Sequence, residues 1–140
     1  MKTVIFALLT FLGSQAPPPD MPRNNPNGVW VVESGPKFQF QLSGKDLKIH
    51  LVDAAKSKYV KYELTLKNQE EINTYKGSGY FVAKLSNGKE CRFDTEWNVV
   101  VIQPTTAFVT YTRITPNADT CAVLETSPDQ MFLKKETDSK

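Results

Sequence analysis

Short stretches in which apolar and polar residues alternate run through most of this chain, and they restrict its fold more than any other feature. The segment from residue 59 to residue 67 is one example, with apolar residues at Val60, Tyr62, Leu64 and Leu66. Side chains of a β-strand point alternately to opposite faces, so a period of two predicts a strand with one face in the core and one in water. The pattern therefore predicts antiparallel β-structure.

The run from Lys89 to Thr126 carries this pattern furthest and contains both cysteines. Its strand candidates are Cys91 to Ile102, Ala107 to Thr115 and Thr120 to Glu125. Ser127-Pro128-Asp129 is typical of a turn, and it is predicted to end the last strand. Residues 129–140 are then expected to form a polar tail, with room for one short closing helix.

Turn signals separate further strand candidates earlier in the chain. These are Val29 to Val32, Phe38 to Leu42, Leu47 to Leu51, Tyr59 to Lys67 and Thr74 to Leu85. The uninterrupted apolar run of the first predicts burial on both faces. Gly77 and Gly79, inside the fifth, predict a bulge or sharp bend of the kind that barrels use at corners. About eight strands in hairpin order predict an all-β fold, an up-and-down antiparallel barrel, with a β-sandwich as the alternative.

The amino-terminal residues predict export. Residues 1–16 resemble a signal peptide, because Lys2 precedes the apolar run Val4 to Leu12 and small residues follow it. That run is shorter than the about 20 apolar residues that span a bilayer, and we expect no membrane span elsewhere. Residues 17–27 are rich in proline and asparagine and are expected to be a flexible lead-in to a barrel domain at 28–128. The mature protein is thus expected to be secreted and extracellular.

Cys91 and Cys121 are the only cysteines in the chain, and in an exported protein they are expected to form a disulfide. The loop between them is long enough for the bond to stabilise the fold by about 3 to 4 kcal/mol on the chain-entropy argument. Two unpaired buried thiols are the alternative. Only His50 could join them as a metal ligand, so no metal site is predicted.

Two places in the sequence resemble the lipocalins, the exported members of the calycin barrels. Asn27-Gly28-Val29-Trp30 opens the first strand, where lipocalins carry Gly-x-Trp, and the strands from Trp97 to Leu124 resemble the late lipocalin strands in order. The resemblance implies a small apolar ligand in the barrel, with Gly28 and Trp30 forming a motif that closes the barrel floor. The chain departs from the family in lacking Thr-Asp-Tyr in the late turn, an Arg after Leu124 to pack over the tryptophan, and a long carboxyl-terminal helix.

The alternation also selects the residues that would face the interior and bind a ligand. They are Phe38, Phe40, Leu42, Ile49, Leu51, Tyr62, Leu64, Val82, Phe93 and Phe108. The same positions would be plain core if the barrel is filled, as small barrels often are. Tyr62 and Tyr80 would each place a hydroxyl on the ligand if they point inward.

Charges and reactive residues indicate a protein that is not an enzyme. The formal net charge of +2 is too small to indicate nucleic acid binding. His50 lies on the polar side of its strand, and Arg92, Asp94 and Glu96 share the wet face of theirs. No catalytic, phosphate-binding or zinc-binding pattern is present, and no cofactor is predicted. The lysines between residues 45 and 67 are interpreted as a solvated face.

Two functions therefore remain from the sequence. The first is a secreted lipocalin-like protein that binds or sequesters a small hydrophobic molecule in the barrel. The second is a secreted interaction module with a filled core, which binds another protein through its loops. An internal cavity would favour the first, and an exposed apolar patch the second.

Overall fold

The computed structural model describes residues 22–33 and 35–137 and shows eight antiparallel strands in a closed barrel. The strands are β1 (Gly28–Val32), β2 (Lys37–Ser43), β3 (Asp46–Asp53), β4 (Tyr59–Asn68), β5 (Thr74–Lys84), β6 (Glu90–Gln103), β7 (Thr106–Pro116) and β8 (Val123–Lys135). Each strand pairs with the next, and β8 pairs with β1. The prediction of an up-and-down barrel is confirmed, and closure excludes the sandwich. The predicted signal peptide lies outside the described residues.

The barrel has two ends that differ in structure. We call the lower end the one that holds the β2–β3, β4–β5 and β6–β7 turns, together with the start of β1. The upper end holds the β3–β4, β5–β6 and β7–β8 connections. Among the described residues, no helix is long and apolar enough to cross a membrane.

Aromatic side chains fill the interior from the lower end upward. The ring centroid of Trp30 lies 5.5 Å from that of Phe40, and Phe38 lies 5.3 Å from Trp97. Higher up, Phe38 contacts Tyr62 at 5.2 Å, and Phe81 contacts Phe93 at 5.5 Å. Such edge and tilted contacts at about 4.5 to 7 Å are favourable beyond the burial of apolar area. The barrel is therefore built around a packed aromatic core.

Gly77 and Gly79 let β5 pass close to β4. A Cβ at Gly77 would lie 2.2 Å from the carbonyl oxygen of Thr65, and one at Gly79 would lie 1.9 Å from that of Glu63. Both contacts are far shorter than real Cβ atoms tolerate. The sequence predicts a bulge or sharp bend at these glycines; the structure shows a close approach of the two backbones, with no register shift at either glycine, and no side chain could fit there.

The lower end is closed by the segment from Pro22 to Asn27. The backbone N–H of Asn24 donates to Oδ1 of Asn73 at 2.8 Å, and its Nδ2 donates to the carbonyl of Val101 at 2.8 Å. Pro26 is buried and accepts a hydrogen bond from Nε1 of Trp30 at 2.9 Å. The prediction of a flexible lead-in is wrong for residues 22–27, because their polar groups are held by the barrel. Residues 17–21 lie outside the described part.

β8 corrects the predicted end of the barrel. It runs through Pro128 to Lys135, so the barrel extends beyond residue 128 and the polar tail predicted at 129–140 is largely a strand. β8 pairs with β1 only from Leu133 to Lys135. Pro128 lacks an N–H, but no strand pairs with β8 on its β1 side at that residue, so no ladder hydrogen bond is lost there. Proline is tolerated at such edges. Residues 127–129 have the composition of a turn, but they form a strand because β7 pairs with β8 along this whole stretch.

β1 also differs from its prediction. Only Trp30 is buried in it, and the other four residues are half-buried. The strand is short and the barrel wall has one wet face, so an apolar run here does not require burial on both sides.

Candidate functional site

A depression of about 400 Å³ opens at the upper end of the barrel, and we call it the mouth. Its residues come from β4, β5, β7 and β8 and from the loop before β4. They are Lys58, Tyr59, Tyr62, Phe81, Tyr111, Thr112, Arg113, Ile114 and Asp129. Its volume falls at the lower end of the range for small-molecule sites.

Three aromatic rings form one wall of the mouth. The rings of Tyr62 and Phe81 are stacked with centroids 5.0 Å apart, and the ring of Tyr59 meets them edge-on at 5.0 and 5.5 Å. Tyr62 is almost fully buried, at 4% exposure, whereas Tyr59 is half-buried. The wall thus offers apolar surface together with two phenolic hydroxyls.

A bulge in β4 explains how Tyr59 and Tyr62 come to share this wall. In strict alternation, positions three apart face opposite sides of a sheet. The register shifts between Tyr59 and Lys61, and the extra residue, Val60, is 45% exposed. A bulge of this kind re-aims a side chain, and here it brings Tyr59 inward.

A polar group stands beside the aromatic wall. The Tyr111 hydroxyl donates to Oδ2 of Asp129 at 3.2 Å, and Nη1 of Arg113 lies 3.9 Å from the same oxygen. Tyr111 and Asp129 are directly opposite each other on β7 and β8, so the barrel register places them together. Burial, reinforced by the Asp129 carboxylate, raises the pKa of Tyr111 to about 12. Burial likewise raises the pKa of Tyr62, so both hydroxyls are donors at neutral pH.

The charges around the mouth suit a molecule with one polar end. Lys58 and Arg113 are exposed cations, and Asp129 is the single acidic residue among those that line the mouth. Part of the Asp129 charge is already engaged by Tyr111. A ligand with an apolar body and an anionic or hydrogen-bonding end would satisfy both parts of this site. In the described part of the chain, His, Cys, Asp and Glu form no cluster of three that could hold a metal.

The structure divides the ten predicted ligand-binding residues into three groups: residues buried in the interior, residues half-buried against the core, and residues that face outward. Phe38, Phe40, Ile49, Tyr62, Leu64 and Phe93 are buried in the interior. Leu42 and Leu51 are half-buried and pack against that core. Of the ten, only Tyr62 lines the mouth, and Phe40 lies far below it against Trp30. Their role in binding a ligand stays a prediction.

The interior positions predicted for Val82 and Phe108 are wrong. Val82 lies between the buried residues Phe81 and Ala83 on β5 and therefore faces outward. Phe108 lies between buried Ala107 and Val109, and its ring contacts that of Phe132, which is 56% exposed, at 5.0 Å. In each case the strand alternates as expected, but the inward set is shifted by one residue.

Sequence reasoning missed most of the mouth. Tyr59, Phe81, Tyr111, Arg113 and Asp129 were not selected as ligand-binding residues. Tyr111 continues the inward series Ala107, Val109 and could have been found from a correct register. Asp129 was assigned to the tail, because β8 was predicted to end before it. Tyr80, which would meet a ligand only if it pointed inward, lies on the outer face, with the Arg92 guanidinium 3.8 Å from its ring.

The disulfide and the floor motif have clear positions. Cys91 and Cys121 are bonded, with Cα atoms 5.4 Å apart, which confirms the predicted pairing. Gly28 adopts a φ of +136°, and its missing side chain leaves room for Lys135. Trp30 is fully buried at the lower end, and Nζ of Lys135 lies 5.4 Å from its ring centroid. A cation near the end of the last strand therefore does pack over the tryptophan.

No family model, no curated protein and no solved structure matches this chain. The closed barrel of eight antiparallel strands fits a calycin-like fold. The disulfide is typical of proteins in an oxidising compartment.

Proposed function

We propose that this protein is a non-enzymatic, exported, lipocalin-like carrier or sequestering protein that binds a small amphiphilic molecule at the mouth of the barrel. The observation that carries the proposal is the stacked aromatic wall of Tyr59, Tyr62 and Phe81 beside the polar group of Tyr111, Arg113 and Asp129. An apolar body would lie against the wall, and a polar end would meet Arg113.

The packed core sets the depth of this site. Phe38 and Trp97 contact each other and Tyr62 of the wall, so the ligand would sit above Phe38 and Trp97 and would not reach the floor. Binding would gain about 25 cal/mol for each Å² of apolar surface buried. The hydroxyls of Tyr59 and Tyr111 would orient the polar end.

Two observations support the lipocalin-like part of the proposal. Lys135 packs over Trp30 at the end of the last strand, in the role that the resemblance assigns to an arginine. The Cys91–Cys121 disulfide suits an extracellular protein.

Binding of a fluorescent fatty acid tests the proposal, and two tyrosines provide a matched pair of variants. Tyr59→Ala removes part of the mouth wall, and Tyr80→Ala removes a tyrosine of similar exposure from the outer face. Losing a partly buried aromatic contact of about 1.5 kcal/mol would weaken binding roughly tenfold in Tyr59→Ala. Tyr80→Ala should bind the probe as the unaltered protein does.

A third variant tests the polar end. Arg113→Gln should weaken a fatty acid more than the corresponding fatty alcohol, because only the acid carries a charge for Arg113 to meet. Absence of binding by the unaltered protein, or an equal loss in Tyr59→Ala and Tyr80→Ala, would contradict a ligand site at the mouth.

A further inference from the structure

The barrel wall forks between β6 and β7. Their ladder ends at the pair Trp97–Tyr111, although β6 begins at Glu90 and β7 continues to Pro116. Above that pair β6 remains bonded to β5, and β7 remains bonded to β8. The Cys91–Cys121 disulfide joins the two branches again at the top. The edge of β6 from Glu90 to Glu96 thus has no strand partner on its β7 side among the described residues.

A groove follows this free edge, and we call it the fork groove. Its upper part has a volume of about 740 Å³. Both faces of β6 contribute to its lining: Arg92, Asp94 and Glu96 point outward, whereas Phe93 and Thr95 belong to the buried face. A cavity can reach both faces of one strand only over an uncovered edge.

The groove continues downward past the last β6–β7 pair. A second cavity of about 530 Å³ shares Ser78, Glu96 and Thr112 with the first. On the other side, Thr112 and Ile114 line both the fork groove and the mouth. The upper part of β7 therefore separates two sites that open in different directions.

Unpartnered polar atoms concentrate at this fork. In the described part of the chain, four buried side-chain atoms have no hydrogen-bond partner: Tyr75 Oη, Thr95 Oγ1, Trp97 Nε1 and Asn98 Oδ1. Three of them fall within the four residues from Thr95 to Asn98, where the ladder ends. Thr95 and Trp97 are only 3% and 2% exposed, so the absence of a partner is energetically unfavourable. Such groups are rare in proteins and call for an explanation.

The chemistry of the groove matches an extended peptide. Thr95 lines the groove with an unpartnered hydroxyl, and the free edge of β6 offers both N–H and C=O groups. From Arg92 to Glu96 this edge would span roughly 13 Å at about 3.3 Å per residue. A partner with donors and acceptors repeated over that length is a β-strand.

The opposite wall indicates which side chains such a strand would carry. It is formed by Thr112, Ile114, Val123 and Thr126, none of which is charged. Val123 is 51% exposed and offers apolar surface to an incoming chain. A strand with alternating β-branched apolar residues and hydroxyl residues would meet both Ile114 and the threonines.

We propose that the fork groove binds an extended, uncharged peptide segment of another protein, which adds as a strand to the free edge of β6 between Arg92 and Glu96. This site is separate from the mouth and does not depend on the small molecule proposed there.

The test uses a panel of short, end-blocked peptides that alternate valine or isoleucine with threonine or serine. Hydrogen exchange of the unaltered protein is measured with each peptide at millimolar concentration. Binding should slow exchange at backbone amides of the segment from 92 to 96. The same peptides with N-methyl groups on alternate amides should give no protection, because they cannot complete the ladder.

Thr95→Val distinguishes the proposed site from a structural role of the hydroxyl. Valine keeps the shape of threonine and removes Oγ1. We expect peptide affinity to fall about three- to tenfold, the effect of one hydrogen bond, while thermal stability is unchanged or higher. Thr65→Val, at an exposed position on β4, is the matched control and should alter neither property.

Three results would overturn the proposal. They are no protection of the segment from 92 to 96 by any peptide of the panel, equal protection by the N-methylated peptides, and unchanged peptide affinity in Thr95→Val. Fatty acid binding at the mouth is measured in parallel and should be the same with and without peptide, so the two proposals can fail separately.

Discussion

The two ends of the barrel are held together in different ways. At the lower end, the segment from Pro22 to Asn27 lies across the opening, and Asn24, Asn73 and Trp30 all have their polar groups paired. At the upper end, β6 and β7 separate, and the disulfide replaces the missing ladder. The lower end is closed by hydrogen bonds, whereas at the upper end the separated strands are joined by a covalent bond.

This difference indicates that the lower end contributes to stability, whereas the upper end is suited to recognition. Buried polar groups that are satisfied contribute to a fixed structure, and those left unsatisfied carry a free-energy cost. The fork carries three unsatisfied atoms, and the interior of the lower half carries one, the hydroxyl of Tyr75. Burial raises the pKa of Tyr75.

Removing the floor should have the largest effect on stability. Trp30 is fully buried, contacts Phe40 and lies under Lys135, so Trp30→Ala should lower the free energy of unfolding by about 3 to 5 kcal/mol. Urea denaturation followed by circular dichroism measures the change. Tyr59→Ala at the mouth is the comparison, and we expect it to lose less than half as much. Equal losses would mean that the two ends contribute alike.

Opening the disulfide should have the next largest effect on stability, and its local effect on the folded protein should fall on the upper end. The bond joins residues 30 positions apart, and replacing it by Cys91→Ala with Cys121→Ser should lower the free energy of unfolding by about 3 to 4 kcal/mol. Hydrogen exchange of the folded variant should rise in the upper parts of β6 and β7, because no ladder joins them there. Asn24 and Val101 should show no more than the increase that the lower global stability brings to the whole barrel, and an increase there as large as in the upper parts of β6 and β7, beyond that global contribution, would contradict the separation of the two ends.

The sequence was sufficient to predict the barrel because alternation and turn signals are local. Strand number, hairpin order and the disulfide all follow from residues close in the chain or from chemistry that does not depend on geometry. The closed lower end was partly anticipated through Trp30, whose place came from the lipocalin resemblance. The hydrogen bonds of Asn24 could not be anticipated, since their partners lie 49 and 77 residues away.

The upper end could not be predicted for reasons of register. The bulge at Val60 reverses the side on which Tyr59 lies, and a shift of one residue placed Val82 on the wrong face. The pairing of β7 with β8 overrides the turn composition at Pro128 and brings Asp129 opposite Tyr111. The candidate site therefore depends on long-range pairing that local patterns do not encode.

Alkaline pH should produce the smallest effect, and it probes the mouth. Burial and the Asp129 carboxylate raise the folded-state pKa of Tyr111 from its ordinary value of 10.0 to about 12, so the folded protein holds this proton more tightly than the unfolded chain. The stability that this group contributes is fully present below about pH 10 and is lost as the pH rises through about 12. Tyr111→Phe has no proton to lose here, so its free energy of unfolding should fall less steeply over that range. At neutral pH the same variant should lose about 1 kcal/mol, because Asp129 loses its donor. Denaturation curves at several pH values measure both effects. Identical pH profiles for the two proteins would show that the Tyr111 hydroxyl is as accessible to water in the mouth as in the unfolded chain.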